Sequence, residues 1–421
     1  MFPLVPCPSS LAPFAIALCL WLAAASSATA RPAQGVLVSH AATDTVIVHF
    51  VVTVPSDTPA DTAVYLAGSL PAVGGWKADG VKLEFQDDGT YVAAVTLDAG
   101  ATLEFKFTRG TWQTVEQSVD AGNLVNRSIT IGTNPTRIDA TVARWASADA
   151  TTQRASSVVG ILALHDLESA ALSAKRTVRV WLPPGYDANA GTKYGVLYMH
   201  DGQNCFDRTT SAFGNEWKID ETLTELIEAN VIRPIIVVGI DNGGMKRISE
   251  LTFAADSKKD GGYGGGRGDS YAQFLLEEVR PFIEKTYRVN TSKDHTFIGG
   301  SSLGGLASLE IARRYPNEFA GVIAMSPSLW WNDKSLTKAI EQDAGGLMST
   351  RIWLDMGTCE TGDANATERN AAYVEDTKRF ARALTTRGVE HRVDIAEDAQ
   401  HNEAAWAERF PDAIRYLLGD E

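Results

Sequence analysis

The sequence predicts an α/β domain with a mostly parallel central sheet, preceded by a small all-β sandwich domain. Two observations predict it. Residues from about 35 to 145 carry short β-branched and apolar runs separated by Gly, Asp and Pro clusters, as sandwich strands do. From about 158 onward, continuous apolar runs alternate with helix-period segments, the pattern of strands buried on both faces of a parallel sheet. A chain of 421 residues accommodates two domains, and 44% apolar against 21% charged residues can bury a sizeable core. The formal net charge of -14 argues against nonspecific binding to nucleic acid or an anionic membrane, because neither attracts an acidic surface.

The first element is 1–30. An apolar stretch from Leu11 to Ala25 leads to Ala28-Thr29-Ala30, which fits a signal-peptidase site with small side chains at the -3 and -1 positions. The stretch is short for a bilayer span, so cleavage is expected rather than anchoring, and the mature chain has no membrane anchor. The expected location is the periplasm or the medium. Cys7 and Cys19 leave with this segment. Cys205 and Cys359 remain, and they form either one bridge or two buried thiols.

In the sandwich region, 35–145, strands are expected at Val46–Val52, Val64–Ala67, Tyr91–Val95 and Leu103–Phe107. A small, polar linker follows at 146–157. The α/β domain spans 158–421. Its strands are expected at Val178–Leu182, Val196–Met199, Ile235–Ile240, Thr296–Ile298, Val322–Met325, Ile352–Leu354 and Val393–Ile395. Ile219, Leu223, Leu226 and Ile227 share one helical face, as do Phe274, Leu275, Val279, Phe282 and Ile283.

The chemistry centres on Gly300-Ser301-Ser302-Leu303-Gly304, a G-x-S-x-G string with an apolar strand before it and a helix, roughly Gly305 to Arg314, after it. Strand, tight turn and helix make a nucleophile elbow, and the glycine spacing selects Ser302 over Ser301. A serine hydroxyl needs a base, and the base needs an orienting carboxylate. In this arrangement the chain order is serine, acid, histidine. Only His391 and His401 follow Ser302. His391 opens a strand at the wrong end of the sheet, whereas His401 lies in the loop before the last helix. The acid should follow the strand Ile352–Leu354. Glu360 is preferred there, with Asp355 and Asp363 as the other options.

Two backbone amides should hold the oxyanion. Leu303 supplies one. Gln203, or its neighbour Asn204, supplies the other from the loop after Val196–Met199. His200 and Asp201 precede Ser302 and are expected to shape that loop. The glycines from Gly261 to Gly268 follow no strand, so they make a cleft-side loop and not a dinucleotide site. No H-E-x-x-H, EF-hand or clustered Cys-His spacing occurs, so neither metal nor cofactor is expected.

Longer strings carry a resemblance. LPPGY from Leu182, YMHDGQNCFD from Tyr198, PIIVVGIDNG from Pro234, FLLEEVRPFIEKTYRV, GGSSLGGLASLEIARRYPNEFAGVIAMSPSLWW, GTCETG and QHNEAAW together cover nearly all of 170–418. They resemble the esterase family of the α/β-hydrolase fold that contains feruloyl and acetylxylan esterases, enterobactin-type siderophore esterases and mycolyltransferases. The resemblance implies that Ser302, Glu360 and His401 match the family's triad. It also implies that Trp330 or Trp331, and Arg247, lie near the substrate pocket; core packing is the other reading of the Trp pair. Upstream, VYLAGSLPAVGGWKADGVKL from Val64, LDAGATLEFKFTRG, and Asn126-Arg127 resemble the starch-binding-type carbohydrate module. That likeness implies glycan stacking by Trp76 and Trp112, against the alternative of a structural domain with Trp76 in its core.

The expected function is therefore an exported serine ester hydrolase that works by two-step acyl transfer. The first substrate reading is a carbohydrate ester of feruloyl or acetyl type. The alternative is a siderophore trilactone. Transfer to a sugar acceptor, and a non-catalytic glycan-binding protein, are the remaining outcomes.

Overall fold

The computed structural model describes residues 44–59, 62–117, 126–146, 155–186, 191–211, 214–256 and 264–419. The expected signal peptide, most of the linker, and the start of the expected glycine-rich loop (261–263) lie outside the described residues.

The first strand, β1 (Thr45–Thr53), alternates strictly, and Val46, Val48, Phe50 and Val52 are buried. It pairs antiparallel with β3 (Tyr91–Asp98) and parallel with β6 (Thr136–Thr141). The facing sheet joins β2 (Tyr65–Gly68), β4 (Thr102–Thr108) and β5 (Arg127–Thr130). Phe50 and Phe105 meet edge-to-face between the two sheets at 5.3 Å. Leu103, Phe105 and Phe107 of β4 enter this core. The period of two therefore turns Glu104 and Lys106 to the opposite face.

The second sheet has eight strands: β7 (Ile161–Ser169), β8 (Ala174–Leu182), β9 (Gly195–His200), β10 (Ile235–Ile240), β11 (Thr296–Ser301), β12 (Gly321–Met325), β13 (Arg351–Gly357) and β14 (His391–Ala396). Their order is β7-β8-β10-β9-β11-β12-β13-β14. The β7–β8 and β8–β10 pairs are antiparallel and the rest are parallel. β10, β11 and β12 are buried at every position, because helices cover both faces and leave one apolar cluster on each side. The helices used below are α1 (Ile219–Glu228), α2 (Leu303–Arg314), α3 (Trp331–Gln342), α4 (Thr367–Arg387) and α5 (Glu403–Leu418). From Asp44 onward the chain packs as one compact unit. α4 touches the sandwich through Arg369, whose Nη1 donates to Ser128 Oγ at 3.0 Å. Among the described residues, no helix is long and apolar enough to cross a membrane.

Candidate active site

In parallel strands the loops at the carboxyl ends lie on one edge, where side chains from distant segments can meet. β9, β11, β12, β13 and β14 end there at His200, Ser301, Met325, Gly357 and Ala396. Ser302 follows Ser301 and caps α2 with φ 56° and ψ -123°, a conformation that costs a non-glycine residue energy. The neighbours show why glycines flank it. A Cβ on Gly300 would lie 2.9 Å from the Gly304 backbone, and one on Gly304 would lie 3.1 Å from His200 Cβ. The turn is held by the Ser302 amide donating to Met325 O at 3.0 Å and by the Ser328 amide donating to Ser302 O at 3.0 Å. Ser302 Oγ lies 3.3 Å from Ser328 Oγ.

His401 Nδ1 lies 2.5 Å from Glu360 Oε2. The carboxylate accepts, so Nδ1 carries a proton, and in the neutral ring Nε2 holds the lone pair. The His401 side chain is 33% exposed while that of Glu360 is fully enclosed, so the base is reachable and the acid is not. Glu360 Oε1 accepts from Ser326 Oγ and from the Gly357 amide, each at 2.6 Å. Burial pushes the Glu360 carboxyl up, but His401, Ser326 and Gly357 outweigh it and hold the group below its ordinary value. Ser302, Ser328, Trp330, Glu360, His401 and Glu403 line one cavity of about 350 Å³. Asp355 is elsewhere. It is buried, accepts from Trp353 Nε1 at 2.9 Å and the Ser326 amide at 3.1 Å, and faces Arg409 at 3.4 Å. Desolvation pushes it up to about 6 against those partners. Asp363 is exposed and caps its own loop.

The loop after β9 packs on the elbow. Gly202–Asn204 forms a single helical turn, and Gly304 sits against His200 and Asp201. Asp201 holds Arg247 through two 2.7 Å bonds and accepts from Asn242 Nδ2 at 2.6 Å. Gln203 Oε1 accepts from the Asn242 amide at 3.1 Å, which fixes the Gln203 side chain beside β10. His200 Nδ1 lies 2.8 Å from Tyr271 OH, and burial pushes the imidazole down to about 4, so it is neutral at physiological pH.

An elbow serine and a carboxylate-held imidazole lining one cavity are the groups that attack on an ester carbonyl uses. A family model described as "Putative esterase" matches residues 169–417. The chain belongs to this family. A second model, the starch binding domain, matches residues 45–141. YbbA of Bacillus subtilis is 23% identical over 252 residues, covering 59% of this chain and 94% of that protein. The iron(III) salmochelin esterase of Escherichia coli is 26% identical over 259 residues, covering 58% of this chain and 54% of that protein. The solved enterobactin esterase of Shigella flexneri matches with a TM-score of 0.50 at 12% identity, covering 88% of this chain and 92% of that one. The esterase is accordingly a carboxylic-ester hydrolase with an α/β-hydrolase domain.

Of the residues expected near the substrate pocket or in the oxyanion loop, Trp331, Arg247 and Asn204 do not themselves line this cavity. Trp331 is buried in the core and donates Nε1 to Ala254 O at 2.8 Å, so only Trp330 of the pair lines the cavity. Arg247 is held by Asp201 and steadies the β9 loop. Asn204 acts at one remove: its Nδ2 donates to Glu403 Oε1 at 2.9 Å, and Glu403 lines the cavity. Cys205 and Cys359 are both free and buried. Trp76 and Trp112 are half-buried, with ring centroids 6.2 Å apart and planes tilted by 45°.

The sequence reading missed Ser326, Ser328, Tyr373 and Glu403. Ser326, at φ 40°, donates to Glu360 and accepts from Trp406 Nε1 at 3.1 Å and Arg409 Nη2 at 3.0 Å. The only available signal was its place directly after β12. Glu403 is pushed up to about 7, mainly by burial. A raised carboxyl makes the folded state hold its proton more tightly, so stability falls as pH rises from 4.5 to about 7. Glu403→Gln keeps an acceptor for Asn204 and removes the buried charge. We expect its Tm relative to wild type to climb as pH goes from about 4 to about 8; a gap independent of pH would contradict this.

Proposed function

We propose that this esterase is exported and cleaves carbohydrate-linked esters, of feruloyl or acetyl type, with a Ser302–His401–Glu360 triad. The observation that carries the reading is the 2.5 Å contact between His401 and Glu360 in the cavity that also holds Ser302. His401 Nε2 takes the proton as Ser302 Oγ attacks the ester carbonyl. The amides of Leu303 and Gln203 hold the oxyanion. The ester C–O bond then breaks, and His401 returns the proton to the departing alcohol. Water, deprotonated by the same base, releases the acid and restores Ser302. Glu360 keeps the imidazole in the Nδ1–H form throughout.

Export rests on the Leu11–Ala25 stretch and its Ala-Thr-Ala exit. The carbohydrate reading rests on the starch binding match and on the partly exposed Trp76 and Trp112, which support docking on a polysaccharide. The salmochelin esterase relative favours a second reading, hydrolysis of a siderophore lactone. Assay of acetylated and feruloylated sugar esters beside a catecholate trilactone separates the two. Faster turnover of the sugar esters is expected; preference for the trilactone would overturn the carbohydrate reading.

A further inference from the structure

The cavity around Ser302 is not built from the α/β domain alone. Glu104, Lys106 and Asn126 of the sandwich line it together with Ser302, Trp330 and His401. These three reach it for a simple reason. Glu104 and Lys106 alternate with the core residues Leu103, Phe105 and Phe107 on β4, so they share the outer face about 7 Å apart. Asn126 immediately precedes β5, the neighbouring strand, and its Nδ2 lies 3.4 Å from Glu104 Oε2. Lys106 is only 5% exposed although it points away from the sandwich core, so this outer face is covered. Part of that cover is α4, whose Arg369 reaches Ser128 Oγ and stands 3.8 Å from Glu104.

We propose that this sandwich wall selects the substrate by holding the polyhydroxylated alcohol portion of the ester while Ser302 attacks the acyl portion. The inference rests on the serine-esterase reading above and adds the part of the site that chooses the alcohol. An ammonium, a carboxylate and a carboxamide side by side offer both donors and acceptors, which suits sugar hydroxyls, since each hydroxyl both gives and takes a hydrogen bond. The aromatic rings of Trp330 and Tyr373, which line the same cavity from the α/β domain, suit the apolar face of a sugar ring. The sign of the charge points the same way. Glu104 and Glu360 stand against Lys106, so the lining is not electropositive and disfavours a highly anionic iron–catecholate complex. Burial pushes Lys106 down to about 8, which leaves it mostly cationic at neutral pH.

The test keeps the acyl group constant and changes the alcohol. Full-length wild type, Lys106→Met and Asn126→Ala are assayed on p-nitrophenyl acetate and on an acetylated xylo-oligosaccharide. The quantity read is the ratio of kcat/KM on the sugar ester to that on the phenyl ester. Losing a charged hydrogen bond should lower this ratio by about tenfold or more in Lys106→Met, and losing a neutral one by about fivefold in Asn126→Ala. The loss should appear mainly as a raised KM for the sugar ester. Asn126 is exposed, so its variant carries the test even if Lys106→Met misfolds. Ratios within twofold of wild type overturn the wall proposal, as does a wild type that cleaves the phenyl ester but not the sugar ester. A wild type inactive on p-nitrophenyl acetate overturns the underlying esterase reading instead.

Discussion

Ser302→Ala is expected to lower kcat on p-nitrophenyl acetate by about a million-fold, to the level left by an oxyanion hole and substrate binding alone. The size of the loss follows from the geometry. The hydroxyl is lifted on a strained turn, φ 56°, and lines the same cavity as His401. Removing it takes away the hydroxyl that the imidazole would activate. Ser328 Oγ is 3.3 Å from Ser302 Oγ, but Ser328 does not sit on an elbow, so it should not substitute. Burst-free steady-state rates of the purified variant check this. Retention of more than about a hundredth of wild-type kcat would remove Ser302 from the nucleophile's role.

Glu360→Gln is expected to cost about 10⁴ in kcat, as placing an amide beside the base does in other triads. Glu360 Oε1 accepts two 2.6 Å bonds, from Ser326 and Gly357, and Oε2 accepts from His401. Glutamine satisfies the two donors with its oxygen and then turns its NH₂ toward Nδ1. The imidazole must shift its proton to Nε2, the atom that should take a proton from Ser302. Asp355→Asn makes the contrast. Asp355 touches Trp353, Ser326 and Arg409 and not His401, so its loss should lower kcat by less than about tenfold while lowering Tm. The reverse ranking of the two variants in kcat would move the acid to Asp355.

Much of this site was legible because its chemistry is written in short strings. The glycines around Ser302 are forced by contacts of about 3 Å, so they appear as a pattern. The apolar runs of β9 to β13 are continuous because both faces are covered. β7 escaped notice for the opposite reason: it is an edge strand with exposed positions recurring along it, and it shows no continuous run. The start of α2 was read two residues late, at Gly305 instead of Leu303, because two successive glycines weaken a helical pattern. Trp330 and Trp331 could not be separated by sequence, since adjacent residues differ only in direction. Ser326 bonds to residues 34, 80 and 83 positions away, and no local pattern encodes such a hub. The sandwich wall was invisible for the same reason: an alternating strand shows which residues leave its own core, not what they meet outside it.

The proposed mechanism makes Ser302 nucleophilic through the imidazole of His401, and every step proposed for this site depends on that pairing. Labelling the full-length protein with a fluorophosphonate and locating the adduct by peptide mass spectrometry tests it most directly. The expected result is one adduct, on Ser302, with labelling slowed by about a thousand-fold or more in His401→Ala. An adduct on Ser301, Ser326 or Ser328, or equally fast labelling without His401, would contradict it.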